Sequence, residues 1–537
     1  MDAASHDPEL SDEPIDVGAL RDALLKTAHE RDEYKKLYLL LLEKCKKLEA
    51  GLLGQKAERL PKNEQQLTLS LLQMLLGEAA PEPSPEPDTQ EVKAHERRKP
   101  TGRRPLPENL PRVDIELLPP EVQREGLDAF ERIGQEVSEV LERRPASLVV
   151  ARVSRPKFVR KERDKDELTQ IVVAEVPELP IERGMAGPGL LSDTLVKRFG
   201  DHLPLNRQEA IWAREGIELS RSTLCGWHMQ LGELVHPLPE AMLEEALGAP
   251  YLCTDATGVL VQAPEKCRKG HFFVVVAPGL HVLFRYHEQH NSAAVDRMLR
   301  GYKGYLVADA HSVYDHLYGD DKATEVACLA HARRYFFKAF DTDPERARAA
   351  LSMIGALFRI ERELAGEPRK EKEAVRREKS APIVERFFQW CEVERERVLD
   401  ETPIQTAIGY ALNQKQPLKR FLEDGRLPLS NNISERELRR EVVGRKNWLF
   451  VGTDEAGEVN ADFVTLIASC QMHGIEPWAY LRDLLCLMPS WPKSRVLELA
   501  PAHWRRTIDG AEAQARLAAN VFRPLTLGPA PPTARPP

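Results

Sequence analysis

Three acidic residues on three separate stretches are the chain's main candidates for chemistry. Asp255 lies in the middle of YLCTDATGVLVQ, a β-branched run that reads as a strand, where packing gives no reason for an acid. Asp309 comes at the end of GYLVADA, a second strand candidate. Glu435 sits in PLSNNISERELRREVVGRKNWLFVG, residues 428–452. That stretch reads as a turn, a short helix opening near Asn432, a glycine at Gly444, and a strand carrying Trp448, Leu449 and Phe450. On such a helix Glu435 falls one turn before Leu438 and two before Val442, so a carboxylate projects from the face that packs inward. Each acid also has an ordinary reading. An aspartate at a turn or strand end makes a local hydrogen bond, and Glu435, three residues after Asn432, can close a capping box with that residue's amide.

Three carboxylates gathered at one point repel each other unless cations neutralise them. Oxygen ligands alone select hard ions, so magnesium, or manganese in its place, is expected and zinc is not. Two such ions about 4 Å apart activate a water or a DNA 3′-hydroxyl and stabilise the leaving oxygen of an in-line phosphoryl substitution.

The elements that must position these acids can be read on either side of them. YLCTDATGVLVQ, HFFVVVAP and LHVLFRYH form three strands across short connections. A helix near Ala293 to Arg300, the strand GYLVADA, and EVACLAHARRYFFKAF, a strand running into a helix at His331 to Phe340, come next. Three antiparallel strands, a helix and a further strand open a ribonuclease-H-like sheet, whose first and fourth strands lie side by side. Asp255 and Asp309, 54 positions apart, then become neighbours, and Glu435, another 126 positions on, arrives on the helix that closes the sheet. Arg436, Arg439, Arg440, Arg445 and Lys446 make a basic border, and His331, Arg333 and Arg334 another; these suit the phosphates on either side of a cut. The plain alternative for the arginines is surface pairing with Glu437 and Glu441.

The remaining segments set limits. At 537 residues the chain exceeds one ordinary core, and 42% hydrophobic content suffices for globular folding, while 40 prolines point to linkers and tails. A net charge of −8 means that nucleic-acid contact must come from local basic patches. Eight cysteines are scattered without paired spacing, as in a reducing cytosol, and the acidic first residues and short apolar runs lead to the expectation of neither a secretory signal nor a membrane span. From residue 17 to 53 a heptad places Leu20, Thr27, Tyr34, Leu41 and Leu48 at d and Leu24, Arg31, Tyr38, Cys45 and Leu52 at a, which suits a short coiled coil with a second copy or an ordinary amphipathic helix. The proline-interrupted run HERRKPTGRRPLP carries Arg97, Arg98, Lys99, Arg103 and Arg104, which can follow phosphates or lie in a minor groove, or simply be solvated. QEAIWAREGIELSRSTLCGWH has the form of a helix, a turn at Gly216 and a second helix capped near Ser220, a helix-turn-helix with Arg221, Ser222 and Thr223 at the end that meets DNA.

The expected organisation is therefore an α/β multidomain chain. Its parts are residues 1–16 disordered, 17–78 helical and coiled-coil-like, 79–107 a linker with the basic arm, 108–182 a small domain, and 183–247 the helix-turn-helix region. After these come 248–343, the first part of a ribonuclease-H-like mixed sheet core, 344–427, an all-α insertion, 428–490, the second part of the core, and 491–537, a C-terminal tail.

The blocks SNNISERELRR, GRKNWLFVGTDEAG, YLCTDATGVLVQ, GYLVADAHSVY, CLAHARRYF and PLNRQEAIWAREGIELSRSTLCGWH, spread in order over roughly residues 98–485, resemble the transposases of the insertion-sequence-66 family. The resemblance implies a DDE transposase acting on double-stranded DNA with terminal inverted repeats, with its acidic triad at Asp255, Asp309 and Glu435. It also implies a homo-oligomer paired through the N-terminal helix, companion proteins from the same element, and a cytoplasmic, nucleoid-associated location without membrane contact. Ala256, Ser430 and Leu329 depart from the usual pattern, and residues 115–170 contain no cysteine where the family commonly has a zinc-binding domain. Those departures leave a transposase-derived DNA-binding protein without catalysis as the alternative, with a cellular ribonuclease-H-like nuclease behind it.

Overall fold

The structure, a computed structural model, describes residues 17–53, 106, 112–144, 147–160 and 171–527. The chain divides into two compact units, one of Met1–Gly102 with His331–Gly425 and one of Arg103–Ala330 with Arg426–Pro537. No helix among the described residues is long and apolar enough to cross a membrane.

The larger unit contains two sheets. In the first, β2 (Phe130–Arg144) and β3 (Ser147–Arg160) pair antiparallel along their length, with a register shift at Arg132/Gly134. β1 (Arg112–Glu116) lies parallel to β3, and the short β4 (Val172–Val173) pairs with its far end. SLVVARV, rich in β-branched residues that suit a strand, opens β3, and the charged run KERDKDE after it lies outside the described residues. One core of this sheet, Val140, Ala151 and Val153, is completed by Phe522 from the far end of the chain.

That contact corrects the expectation of a tail from residue 491. Helices Trp504–Ile508, Ala511–Ala519 and Arg523–Thr526 are ordered, and Leu499, Trp504, Leu517 and Phe522 are buried. The reason is spacing: large apolar residues recur among the prolines and find partners, Trp504 edge-on to Tyr480 at 4.7 Å and Arg523 paired with Asp483 at 2.9 Å. Residues 528–537 lie outside the described residues.

The second sheet has the strand order β7-β6-β5-β8-β9, with β10 also pairing β5. β5 (Tyr251–Val261), β6 (Arg268–Ala277) and β7 (His281–His287) are antiparallel, whereas β8 (Tyr305–Ala308), β9 (Thr324–Ala327) and β10 (Phe450–Val451) extend the sheet in parallel. The first and fourth strands are thus neighbours, as expected. β6 carries the fully buried run Phe272 to Ala277, consistent with a central strand covered on both faces.

Helix Asp454–Met472 seals the β7 edge with side chains. Thr465 Oγ1 accepts from Phe284 N at 2.7 Å, Ser469 Oγ accepts from Val282 N at 3.1 Å and donates to Val282 O at 3.0 Å, and His473 Nε2 lies 2.8 Å from Leu280 O. Residues 465, 469 and 473 stand one helical turn apart, so a helix face satisfies backbone groups that would otherwise form an open sheet edge.

The smaller unit is helical, as read for residues 344–427. Helices Pro344–Glu363, Ala381–Arg395 and Pro403–Asn413 bury Ile354, Leu357, Phe387, Phe388, Cys391 and Ile408. At its centre Arg376, 1% exposed, makes a two-pronged pair with Glu361 at 2.8 and 2.7 Å and donates to the carbonyls of Phe421 and Asp424 at 2.6 and 2.9 Å. Helix Val17–Leu53 runs unbroken for 37 residues. Its heptad residues Leu24, Tyr34, Tyr38 and Leu41 are all more than half exposed, while the side chains of Leu20, Cys45, Leu48 and Leu52 lie outside the described set.

Candidate active site

β5 and β8 pair in parallel with Cys253 opposite Val307. Carried two residues further, this register sets Asp255 level with Asp309, the residue after β8 ends at Ala308. Both aspartates are half-buried. Burial pushes the Tyr314 hydroxyl well above its ordinary pKa, and the charges of Asp309 and Asp255 both add to that shift, so the two carboxylates act on one phenol. Each also accepts a local backbone bond, Asp255 from within its strand and Asp309 just past the end of β8. Asp255 Oδ1 accepts from Ala256 N at 2.7 Å, and Asp309 Oδ1 accepts from His311 N at 3.2 Å where Ala310 takes φ +60°.

Glu435 comes from a helix lashed to the strand of Asp255. β8 covers one edge of β5 up to Cys253, and β10 resumes on β5 at Leu260. The helix Asn432–Trp448 bonds to β5 between those points. Asn431 Nδ2 donates to Thr254 O at 2.8 Å, and Arg445 Nη1 donates to Thr257 Oγ1 at 2.8 Å and to Gly258 O. Asn431 N in turn donates to Cys328 Sγ at 3.1 Å, which ties the helix start to the end of β9. Glu435 occupies the first turn, half-buried, its amide bonded to Asn431 O at 3.2 Å.

The details differ from the sequence reading in three ways. The residue before the first turn is Asn431, and its side chain serves Thr254 and Ser434 and gives the helix no cap bond. The helix does not stop at Gly444 but continues to Trp448, because that glycine makes room for an indole: a side chain there would meet Trp448 Nε1 at 2.8 Å. The strand shrinks to Phe450–Val451, with Leu449 in a left-handed bend at φ +66°. The buried face of the helix is Ser434, Glu437, Leu438, Glu441 and Gly444, so Glu435 flanks that face and does not belong to it.

Glu441, read from sequence as a surface partner for arginines, is instead on the buried face of that helix. It is 3% exposed, takes a bond from Asn460 Nδ2 at 3.1 Å, and burial pushes its pKa up to about 7. Arg198 partly offsets this charge, and its guanidinium lies 5.6 Å from the Trp448 ring centre, so one cation supports two side chains of the same helix. No spacing rule foretells a glutamate buried by two other elements.

Among the described residues no group of three or more His, Cys, Asp or Glu side chains is arranged to hold a metal ion. The pairing of β5 with β8 ends two residues before each aspartate, and bonds from Asn431 and Arg445 fix the helix of Glu435 to β5.

A family model described as "Transposase IS66 family" matches residues 183–459, a span that holds all three acids. The chain belongs to the IS66 family of transposases. Two further models agree, "IS66 C-terminal element" at residues 465–502 and "Transposase C of IS166 homeodomain" at residues 40–115. Similar proteins come from Sinorhizobium fredii (strain NBRC 101917 / NGR234), all three bearing the description uncharacterized. y4hP is 31% identical over 86% of this chain and 88% of its own length, y4qI 31% over 76% and 78%, and y4jD 28% over 74% and 81%.

The basic residues of this transposase divide by what already occupies them. Arg440 pairs with Glu437 at 2.8 Å and reaches Gln471, and Arg445 is spent on β5. Arg436 is 71% exposed with a long 3.4 Å contact to Glu437, and Arg439 and Lys446 are exposed. His331, Arg333 and Arg334 lie on helix Leu329–Ala339, both arginines exposed, with Arg333 stacked on Phe337 at 6.0 Å. Arg97, Arg98, Lys99, Arg103 and Arg104 lie outside the described residues.

The helix pair expected for DNA reading is present. Helix Leu205–Arg214 leads through Gly216, at φ +85°, to helix Arg221–Val235, whose cap Ser220 accepts from Thr223 N at 3.2 Å. Arg221 and Ser222 are exposed at its start, Arg221 with a 3.2 Å contact to Glu209. Trp212 anchors the first helix under Lys197 and Arg143, at 4.2 and 5.3 Å from the ring.

Proposed function

We propose that this chain is a DDE transposase that cleaves and rejoins DNA at the inverted-repeat ends of an insertion sequence, with Asp255, Asp309 and Glu435 as its acidic triad on a ribonuclease-H-like core. The observation that supports this reading is the parallel pairing of β5 with β8, which ends two residues before Asp255 and Asp309, with the Glu435 helix bonded to the residue preceding Asp255. The three carboxylates give an all-oxygen donor set, half-exposed and delivered from three elements, which fits magnesium or manganese. Bound there, such ions supply an activated oxygen nucleophile and neutralise charge on the leaving oxygen.

The protein's own part is positioning. The strand backbone and the bonds from Ala256 and His311 fix one oxygen of each aspartate, and the two anchors of the Glu435 helix limit that side chain to rotamer changes. Arg436, Arg439 and Lys446 serve as one set of phosphate contacts, His331, Arg333 and Arg334 as a separate set, and Arg221, Ser222 and Thr223 read or grip the terminal repeats, as does the basic arm. The exposed heptad side chains of helix Val17–Leu53 suit pairing with a second copy, and companion proteins of the same element complete the assembly in the bacterial cytoplasm.

The test is magnesium-dependent cleavage of duplexes carrying the repeats that border the gene, which Asp255→Asn must abolish; cleavage that survives this change ends the proposal. The second reading, a transposase-derived DNA-binding protein, takes support from the cysteine-free residues 115–170 and from Ala256 and Ser430. It predicts repeat-specific, salt-sensitive binding with no strand breakage in any divalent metal.

A further inference from the structure

We infer that Leu449 and Phe450 form a rigid apolar wedge that enters a base step of duplex DNA about five base pairs from the scissile phosphate. This deepens the transposase reading and rests on it.

Leu449 is 64% exposed and Phe450 40%, and Leu260, paired with Phe450 in the β5–β10 register, is 45% exposed. Exposed leucine and phenylalanine side by side on a loop would ordinarily be loose. Here both flanks are pinned. Trp448 is seated where Gly444 leaves room, with Arg198 over its ring. Val451, 3% exposed, pairs with Val261, and its carbonyl accepts from Gln262 N at 2.9 Å. Between these anchors Leu449 holds φ +66°, ψ −49°, a conformation costly for a bulky side chain and kept only when the surroundings impose it. The fold therefore tolerates strain to present two apolar side chains to solvent.

Charge identifies the occupant. Lys446 is exposed one turn before Leu449, and Arg439 and Arg436 are exposed further back on the same helix, a polyanion-facing series that leads from the acids to the wedge. Proteins that bend DNA insert such apolar residues between bases beside cationic phosphate contacts. The spacing is a ruler. Asp255 to Leu260 is five residues of strand, roughly 17 Å at the usual strand rise, which equals about five base-pair steps of duplex.

The experiment places 2-aminopurine, which brightens when unstacked, at successive positions inward from the cut in repeat-end duplexes, bound to full-length protein carrying Asp255→Asn so that the strand stays whole. The expected result is a fluorescence rise centred about five positions from the cut, reduced to the free-duplex level by Leu449→Gly and by Phe450→Ser. Gel-shift binding should persist in both. Leu449→Gly also relieves the left-handed strain, so its loss of signal cannot be ascribed to misfolding if its unfolding temperature is unchanged or raised. A rise that persists in both variants, or no rise with a protein whose wild type cuts the same duplex, overturns the wedge and leaves the transposase reading standing. A wild type that neither binds nor cuts the duplex defeats both. A change in DNA-free oligomer size on Leu449→Gly would mark the patch as an interface between copies and refute the inference.

Discussion

Glu441→Gln should remove a pH dependence from the helix that carries Glu435. Burial raises the Glu441 pKa from 4.5 to about 7 in the folded chain. A folded pKa above the unfolded one means that the folded state holds a proton the unfolded state has released. The stabilising contribution is complete below pH 4.5, declines as pH rises, and is lost once pH passes through about 7. The shift is worth about 3 kcal/mol between those limits. Glutamine keeps an oxygen for Asn460 Nδ2, which bonds Glu441 at 3.1 Å, and cannot ionise. Hydrogen exchange in residues 432–448, wild type against variant at matched pH so that intrinsic rates cancel, is the assay. The variant's protection relative to wild type should grow roughly a hundredfold between pH 5 and 8. A ratio constant over that range would refute the assignment of a buried, proton-binding Glu441.

Other expectations follow from the same kind of accounting. Glu142→Gln should act with the same sign over a wider window, since burial lifts Glu142 to about 8 while its Oε1 accepts from Leu190 N at 2.7 Å; urea unfolding across pH 5–9 reads it. Gly187→Ala should destabilise by about 1–3 kcal/mol, because a methyl group there runs into the Glu142 carboxyl. Arg376→Met should cost the helical unit about 1–3 kcal/mol by leaving the partly buried Glu361 and the carbonyls of Phe421 and Asp424 without their donor, measured as lost protection in residues 344–427. Thr465→Val should cost about 1–3 kcal/mol by stranding the Phe284 amide, whereas Thr465→Ser should be nearly neutral in thermal unfolding.

Short-range pattern carried the reading where neighbours in sequence decide the outcome. The β-branched run around Asp255, the Ser220 cap and the helical character of residues 344–427 all obey local rules, and the structure places each as expected. The reading failed where a distant element sets the environment. Gly444 looks like a helix terminus until Trp448 needs the space, and Glu441 looks like a surface partner for arginine until Asn460 and Arg198 enclose it. Phe522 looks like part of a proline-rich tail until β2 and β3 supply its core. The adjacency of β5 and β8 was legible because strand order is constrained by topology. The setting of the Glu435 side chain is a matter of one rotamer, which no sequence pattern encodes.

The hydroxyl ladder on β7 has a consequence for how the chain must be made. Phe284 waits for Thr465 across 181 residues and Val282 for Ser469 across 187. At ordinary ribosomal speed that interval lasts about ten to forty seconds. Throughout it the nascent polypeptide exposes a strand edge able to recruit neighbours on the same message. Fragments ending before residue 465 should accumulate as insoluble material, and slow translation of the helical insertion would lengthen the dangerous period.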